Sequence, residues 1–198
     1  AASDVYKRQP LLGEVGSDAT VVNEDKAAVA EAITAEAVKT AGFDSLKAAK
    51  EDGTAFVFMG HGTSHTAKVT YSQMQTQMEK LGYKNVFIGT VEGEPEDTSC
   101  ESVIAKVKDA GYKNVILRPL MVVAGDHANN DMKGGVGATA EEGSWRYELA
   151  KAGYTCPLAN CDIKGLGDYS KIVSVWVSHI EKKVADNDAM YDPDAEEE

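Results

Sequence analysis

The sequence lacks any apolar run of the roughly 18 to 20 residues that a membrane-spanning helix needs. It also lacks, at its first residues, the succession of charged, apolar and small residues that marks a signal peptide. Basic clusters are missing too, because 20 lysines and arginines face 32 aspartates and glutamates, for a formal net charge of -12. These absences predict a soluble protein that binds neither membranes nor nucleic acid.

Cysteine is scarce. The three cysteines, Cys100, Cys156 and Cys161, are odd in number and include no CxxC pair, so they give no disulfide framework. We therefore expect reduced thiols, which favour the cytoplasm as the default location. An export signal lost together with the original N-terminus would change that assignment.

The two ends of the chain differ from its middle. Residues 1–9 contain no initiating methionine, and Asp4–Gln9 resembles a translated sequencing adapter, so we expect residues 1–9 to be non-native. Residues 10–184 are expected to form one α/β domain. Residues 185–198 contain seven acidic residues and no base, a composition that predicts a solvated, disordered tail.

A repeated pattern in the middle of the chain indicates the fold. Apolar residues at helical spacing end at Gly82-Tyr83 and again at Gly111-Tyr112, and a short apolar run follows each pair. With the apolar run Ala55–Met59, these segments predict a parallel sheet flanked by helices, joined by right-handed crossovers. We expect the third strand to continue through Leu120–Ala124, which assigns Met121, Val122 and Val123 to the strand core in preference to the wall of a substrate site.

A histidine or a glutamate follows each of the three predicted strands. His61 stands between Gly60 and Gly62 after the first strand, Glu92 follows the second, and His127 follows the third. Because the carboxyl ends of parallel strands meet at one edge of a sheet, the three side chains would share one cleft. Two imidazoles and a carboxylate suit Co²⁺, Ni²⁺, Fe²⁺ or Zn²⁺ and leave positions open for a substrate. The alternative is that each is an ordinary hydrogen-bonded turn residue.

Other polar residues have two interpretations each. Asp126 and Asp131 would either orient His127 through hydrogen bonds or cap local turns. His65 is interpreted as a surface residue in preference to a partner of the site, and His179 as a structural residue. Four cations would either meet the carboxylates of a substrate or be ordinary surface charges: Lys68, Arg118, Lys133 and Arg146.

Five longer motifs identify a family: Phe58–Gly62, Gly89–Pro95, Pro119–Met132, Gly143–Trp145 and Gly165–Gly167. They resemble the corresponding motifs of the anaerobic sirohydrochlorin cobaltochelatases, class II chelatases of cobalamin biosynthesis, and the likeness extends from about Pro10 to Lys183. The resemblance implies an enzyme that inserts Co²⁺, as its substrate metal, into the tetrapyrrole sirohydrochlorin with release of two protons. Ni²⁺ or Fe²⁺ would be alternative metals, and no ATP or other nucleotide is implied.

The resemblance also implies roles for the three strand-end residues. By motif position, His61 would accept the pyrrole protons and also contact the metal, while Glu92 and His127 would be metal ligands. Family members have a further α/β domain before this half. We therefore expect a fragment that binds metal but inserts it poorly, and a homo-oligomer is compatible with the sequence.

Two other functions stay open at the level of sequence. The same cleft would suit a tetrapyrrole or metal carrier that binds without turnover, and proton release coupled to metalated product would distinguish an enzyme from a carrier. A metal-assisted hydrolase is disfavoured, because the sequence has no obvious nucleophile and no phosphate-binding loop.

Overall fold

The structure is a computed structural model that describes residues 10–190. The expected adapter-derived segment, residues 1–9, and the end of the acidic tail, residues 191–198, lie outside the described residues. The last helix continues to Met190, past the domain boundary expected at residue 184. The first residues of the expected tail are therefore helical.

Along the described range, two α-helices precede the first strand, one α-helix separates each strand from the next, and two α-helices follow the last strand. The helices are α1 Glu24–Thr40, α2 Leu46–Glu51, α3 Val69–Lys80, α4 Cys100–Asp109, α5 Trp145–Lys151 and α6 Ser170–Met190. The strands are β1 Thr54–Gly60, β2 Val86–Thr90 and β3 Asn114–Pro119. Within residues 10–190, no helix is both long and apolar enough to span a lipid bilayer.

The three strands form one parallel sheet in the order β2-β1-β3. Phe58 in the central strand aligns with Ile88 of β2 and with Arg118 of β3. The predicted parallel sheet flanked by helices is thus confirmed. Because all three strands run in the same direction, their carboxyl ends lie along one edge, with β1 in the middle.

The central strand is buried on both faces, which explains its continuous apolar run. Alternate residues point to opposite sides of the sheet. Phe56 and Phe58 belong to a core cluster with residues of α1, α3 and α6, whereas Val57 and Met59 belong to a second cluster with residues of α4 and α5. Helices therefore cover both faces and leave the strand ends as the accessible edge.

The repeated Gly-Tyr pairs end helices, as the sequence predicts. Gly82 and Gly111 adopt φ angles of 77° and 81°, a backbone conformation that glycine tolerates without steric cost. The following N–H groups of Tyr83 and Tyr112 donate to the carbonyl oxygens of Met78 and Val107 at 2.9 and 3.3 Å. These bonds close the last turn and direct the chain into the next strand.

The third strand is shorter than the sequence predicts. It ends at Pro119, and residues 120–124 form a loop, so the assignment of Met121, Val122 and Val123 to strand core was wrong. Val122 and Val123 are 47% and 79% exposed. Proline has no N–H to donate to a ladder, and the N–H of Leu120 makes the last bond to the central strand, at 2.7 Å from Met59 O.

Candidate metal centre

His61 is the first residue after the central strand, and its backbone position is fixed by Tyr71 of α3. A Cβ atom at Gly60 would overlap the Tyr71 ring, so position 60 must lack a side chain. The N–H of Gly62 donates to the Tyr71 hydroxyl oxygen at 3.1 Å. One aromatic side chain thus holds the glycines on both sides of His61, while the imidazole itself is exposed.

Glu92 lies beside His61 because the ladder between β1 and β2 continues past the ends of the strands. The Val91 N–H donates to Gly60 O and the Glu92 N–H donates to His61 O, both at 2.9 Å. A Cβ atom at Gly62 would lie 2.9 Å from the Cβ of Glu92. The two loops therefore touch, and this contact also requires a glycine at position 62.

His127 reaches the same place by a different route. It is not at the end of its strand but at the start of a short π-helical turn, Ala128–Met132. Its ring lies edge to face with that of His61, with 4.6 Å between the ring centroids and 85° between the planes. The structure thus brings together the two histidines that the sequence placed after separate strands.

Each of the two imidazoles has an oxygen acceptor at Nδ1. The Nδ1 of His61 is 2.9 Å from the carbonyl oxygen of Gly62, and that of His127 is 2.7 Å from Oδ2 of Asp131. A carbonyl oxygen and an ionised carboxylate only accept hydrogen bonds, so Nδ1 of each neutral ring bears the proton. The Nε2 atoms then hold lone pairs, which are chemically able to bind a metal ion or accept a proton.

The carboxylate of Glu92 is not preorganised together with the two rings. Among residues 10–190, no group of three or more His, Cys, Asp or Glu side chains is arranged to hold a single ion. The Glu92 side chain is exposed, whereas its backbone is fixed beside His61. The arrangement in the structure is a pair of imidazoles with a carboxylate on the adjacent loop.

The neighbouring acidic residues have separate roles. Asp131 holds His127, which is the orienting one of the two interpretations left open for it, whereas Asp126 accepts a 2.7 Å hydrogen bond from the Asn130 side chain. Nearness in the sequence does not decide which aspartate contacts the ring: Asp126 is adjacent to His127 in the chain, yet Asp131, four residues on, makes the contact. The helical turn directs Asp131 to the ring and Asp126 away from it.

The remaining two histidines do not join the pair. His65 is exposed, and its Nδ1 accepts a 3.1 Å hydrogen bond from the Ala67 N–H at the start of a 3₁₀ turn. His179 on α6 is buried, and its Nε2 lies 2.7 Å from Oδ1 of Asp25 on α1. The first is a turn-capping residue and the second joins two helices, in line with the surface and structural interpretations.

Two of the four candidate cations are buried and therefore cannot contact the carboxylates of a substrate. Arg118 and Arg146 are 3% and 2% exposed, so they are neither surface charges nor available to a ligand's carboxylates. Lys68 pairs with Glu94 at 2.6 Å and so joins the loop after β1 to the loop after β2. The Lys133 ammonium donates to the Asn129 side chain at 3.3 Å and is half-buried.

Sequence reasoning missed the role of Tyr71 and the exposed apolar surface on the loop that leads to His127. Nothing in the local pattern distinguishes Tyr71 from other helix residues, because its contacts with Gly60 and Gly62 depend on the packing of α3. The apolar surface consists of Val122 and Val123, which the predicted third strand had assigned to the core. The proline that ends the strand was the signal that could have corrected this assignment.

Comparison with known proteins finds similarity to cobalt chelatases in each case. The model of the cobalt chelatase (CbiK) family matches residues 3–185. The sirohydrochlorin cobaltochelatase CbiKC of Nitratidesulfovibrio vulgaris is 30% identical over 141 residues, which are 71% of this chain and 45% of that protein. The sirohydrochlorin cobaltochelatase of Salmonella typhimurium is 36% identical over 124 residues, 63% of this chain and 42% of that protein. The chain thus aligns with less than half the length of each relative.

Proposed function

The chain belongs to the cobalt chelatase (CbiK) family, and from this premise we propose that it takes part in the insertion of Co²⁺ into sirohydrochlorin. The observation that supports this proposal best is the pair formed by His61 and His127, whose rings are 4.6 Å apart at the exposed strand-end edge. In this reaction Co²⁺ is a substrate that the site holds briefly and then transfers. An exposed pair of imidazoles with an adjacent carboxylate suits such a transfer better than a closed cage would.

We assign the proton-accepting role to Nε2 of His61. The metal enters the macrocycle only after two pyrrole N–H protons have left, and imidazole accepts protons at neutral pH. The hydrogen bond from Nδ1 to the Gly62 carbonyl fixes the ring so that Nε2 faces outward from the strand. An exposed base can pass each accepted proton to water and become ready for the next.

We assign the metal-holding role to His127 and Glu92, together with His61. The Asp131 carboxylate at Nδ1 of His127 fixes the ring and its tautomer and leaves Nε2 for the metal, as in the carboxylate–histidine pairs of metal sites. The exposed side chain of Glu92 is able to rotate toward the rings when the ion arrives. These ligands would replace part of the water shell of Co²⁺ and leave positions open for the pyrrole nitrogens.

The exposed apolar surface on the loop before His127 suits a flat macrocycle. Val122 and Val123 are exposed on the loop that leads to His127. Apolar side chains gain free energy when they are covered, and a tetrapyrrole ring offers a matching apolar face. We propose that the macrocycle lies over these valines while its central nitrogens face the two imidazoles.

The test is an anaerobic visible-absorbance assay of Co²⁺ insertion into sirohydrochlorin with proton release recorded in parallel. It should be run on the chain by itself and on the chain joined to the N-terminal half of the Salmonella typhimurium relative. Metalated product with proportional proton release would support a chelatase. Binding of the tetrapyrrole with neither product nor proton release in both forms would favour a carrier.

Asp131→Asn is expected to weaken Co²⁺ binding or lower the insertion rate by about 10- to 100-fold. The amide removes the negative charge that fixes the Nδ1–H form of His127 and the orientation of its ring. Titration of the d–d absorbance of Co²⁺ measures binding without the tetrapyrrole. Asp126→Asn is the matched control, since it removes the same charge from the same loop and its carboxylate contacts Asn130 and not His127. Equal effects of the two variants would contradict an orienting role for Asp131.

A further inference from the structure

Two cysteines that are not part of the histidine pair lie side by side in the core. The Sγ atoms of Cys156 and Cys161 are 3.9 Å apart, and each residue is 7% exposed. The turn between them, Leu158–Asn160, folds back so that two residues without CxxC spacing come into contact. A disulfide has a sulfur–sulfur bond of about 2.05 Å, so closing this pair requires a movement of about 2 Å.

Buried arginines surround this pair with positive charge. Arg118 donates from Nη1 to the carbonyl oxygen of Asn160, the residue before Cys161, at 2.8 Å. Arg146 donates from Nη2 to Gly137 O at 2.8 Å, whereas its Nε and Nη1 atoms have no hydrogen-bond partner among the described residues. A buried cation that lacks partners stabilises an anion nearby, and here the group that can become anionic is a thiol.

The two sulfurs are not equivalent. A hydrogen bond from the Cys156 thiol lowers the pKa of Cys161, and the charges of Arg146 and Arg118 lower it further against the effect of burial. The same hydrogen bond, together with burial, raises the pKa of Cys156. The third cysteine, Cys100, has its pKa raised to about 12 by burial and stays a thiol. The opposite directions make Cys161 the more readily ionised of the two thiols.

We propose that Cys156 and Cys161 form a redox-active dithiol, with Cys161 as the nucleophile and Cys156 as the resolving thiol, oxidised by a small hydroperoxide. The Cys161 thiolate attacks one oxygen of hydrogen peroxide, the O–O bond breaks, and hydroxide leaves, which gives a sulfenic acid. The Cys156 sulfur then attacks the Cys161 sulfur, the S–O bond breaks, and water leaves. In sum, two thiols are oxidised to one disulfide and one hydrogen peroxide is reduced to two waters.

We choose a small oxidant because both cysteines are buried. A bulky disulfide reagent would have to open the turn between them to reach either sulfur. The dithiol is also linked to the candidate centre. Downstream of Cys161, the N–H groups of Leu166 and Gly167 donate to Met121 O and Val122 O at 2.8 and 3.0 Å. A disulfide would restrict the segment that holds the loop leading to His127.

The primary experiment needs no variant. The reduced chain is treated with hydrogen peroxide under native conditions, denatured, alkylated and digested with trypsin. Because Lys151 and Lys164 bound one tryptic peptide, residues 152–164, both cysteines fall in that peptide. We expect its mass to fall by about 2 Da with neither cysteine alkylated, reversibly with dithiothreitol, while Cys100 stays alkylated. Alkylation of both cysteines at every peroxide level at which the fold is retained would overturn the proposal.

Single variants test the assignment of the two roles. In Cys156→Ser, a dimedone adduct should accumulate on Cys161, because the sulfenic acid has no resolving partner. In Cys161→Ser, Cys156 should give no adduct, and Cys100→Ser should form the disulfide as the parent does. Trapping on Cys156 in place of Cys161 would overturn the assignment of the nucleophile. This readout counts thiols and does not depend on whether the chain inserts cobalt.

Discussion

Replacing His61 with alanine is expected to lower the rate of Co²⁺ insertion into sirohydrochlorin by about 100-fold or more. The variant removes the Nε2 lone pair that we assign to proton acceptance and, at the same time, one of the two imidazoles in contact at the strand-end edge. The backbone should be unaffected, since the ring is exposed and its hydrogen bond is to the adjacent Gly62 carbonyl. The insertion assay measures this rate for the chain by itself and for the chain joined to the N-terminal half of the Salmonella typhimurium relative.

His65→Ala is the matched control for this variant. It removes an exposed imidazole from the same loop, and the hydrogen bond that it breaks caps a local turn. We expect the insertion rate of His65→Ala to stay within about twofold of the parent rate, because surface changes of this kind are usually small. If His61→Ala retained the parent rate, or if His65→Ala lost as much, His61 would not be the proton acceptor.

Gly62→Ala is expected to lower the free energy of unfolding by about 2–5 kcal/mol. Residue 62 has φ +90°, where a Cβ atom is strained by about 1–2 kcal/mol. The added Cβ would also lie 2.9 Å from the Cβ of Glu92 and 3.1 Å from the Cβ of Thr90, and relief of such overpacking costs about 1–3 kcal/mol. Urea unfolding followed by tryptophan fluorescence measures the loss.

The same substitution should also impair the candidate centre. To relieve the contact, the loop after β2 must move away from His61, and the 2.9 Å hydrogen bond between Glu92 N and His61 O must lengthen. Gly125→Ala is the control, because a Cβ there meets no atom within 4 Å and its φ is not in the left-handed range. A Gly62→Ala protein with parent stability would show that the two loops do not depend on this glycine.

The buried arginines illustrate how far sequence reasoning extends in this protein. As charged residues, Arg118 and Arg146 were expected on the surface or against a charged ligand, but both are in the core beside the cysteine pair. Backbone carbonyls of distant segments, those of Asn160 and Gly137, accept their hydrogen bonds. No local pattern encodes such partners, so neither the arginines nor the dithiol could be predicted.

The sequence by itself determined the alternation of strands and helices, the parallel direction of the strands and the positions of His61 and Glu92 just past two of them. These features follow from local periodicity and from the rule that parallel strands end at one edge. Only the tertiary structure decided how His127 approaches His61 on a helical turn beyond Pro119, and that Tyr71 fixes the Gly-His-Gly segment. The physical reason is that both contacts join segments separated along the chain, and packing of whole elements sets the distances between them.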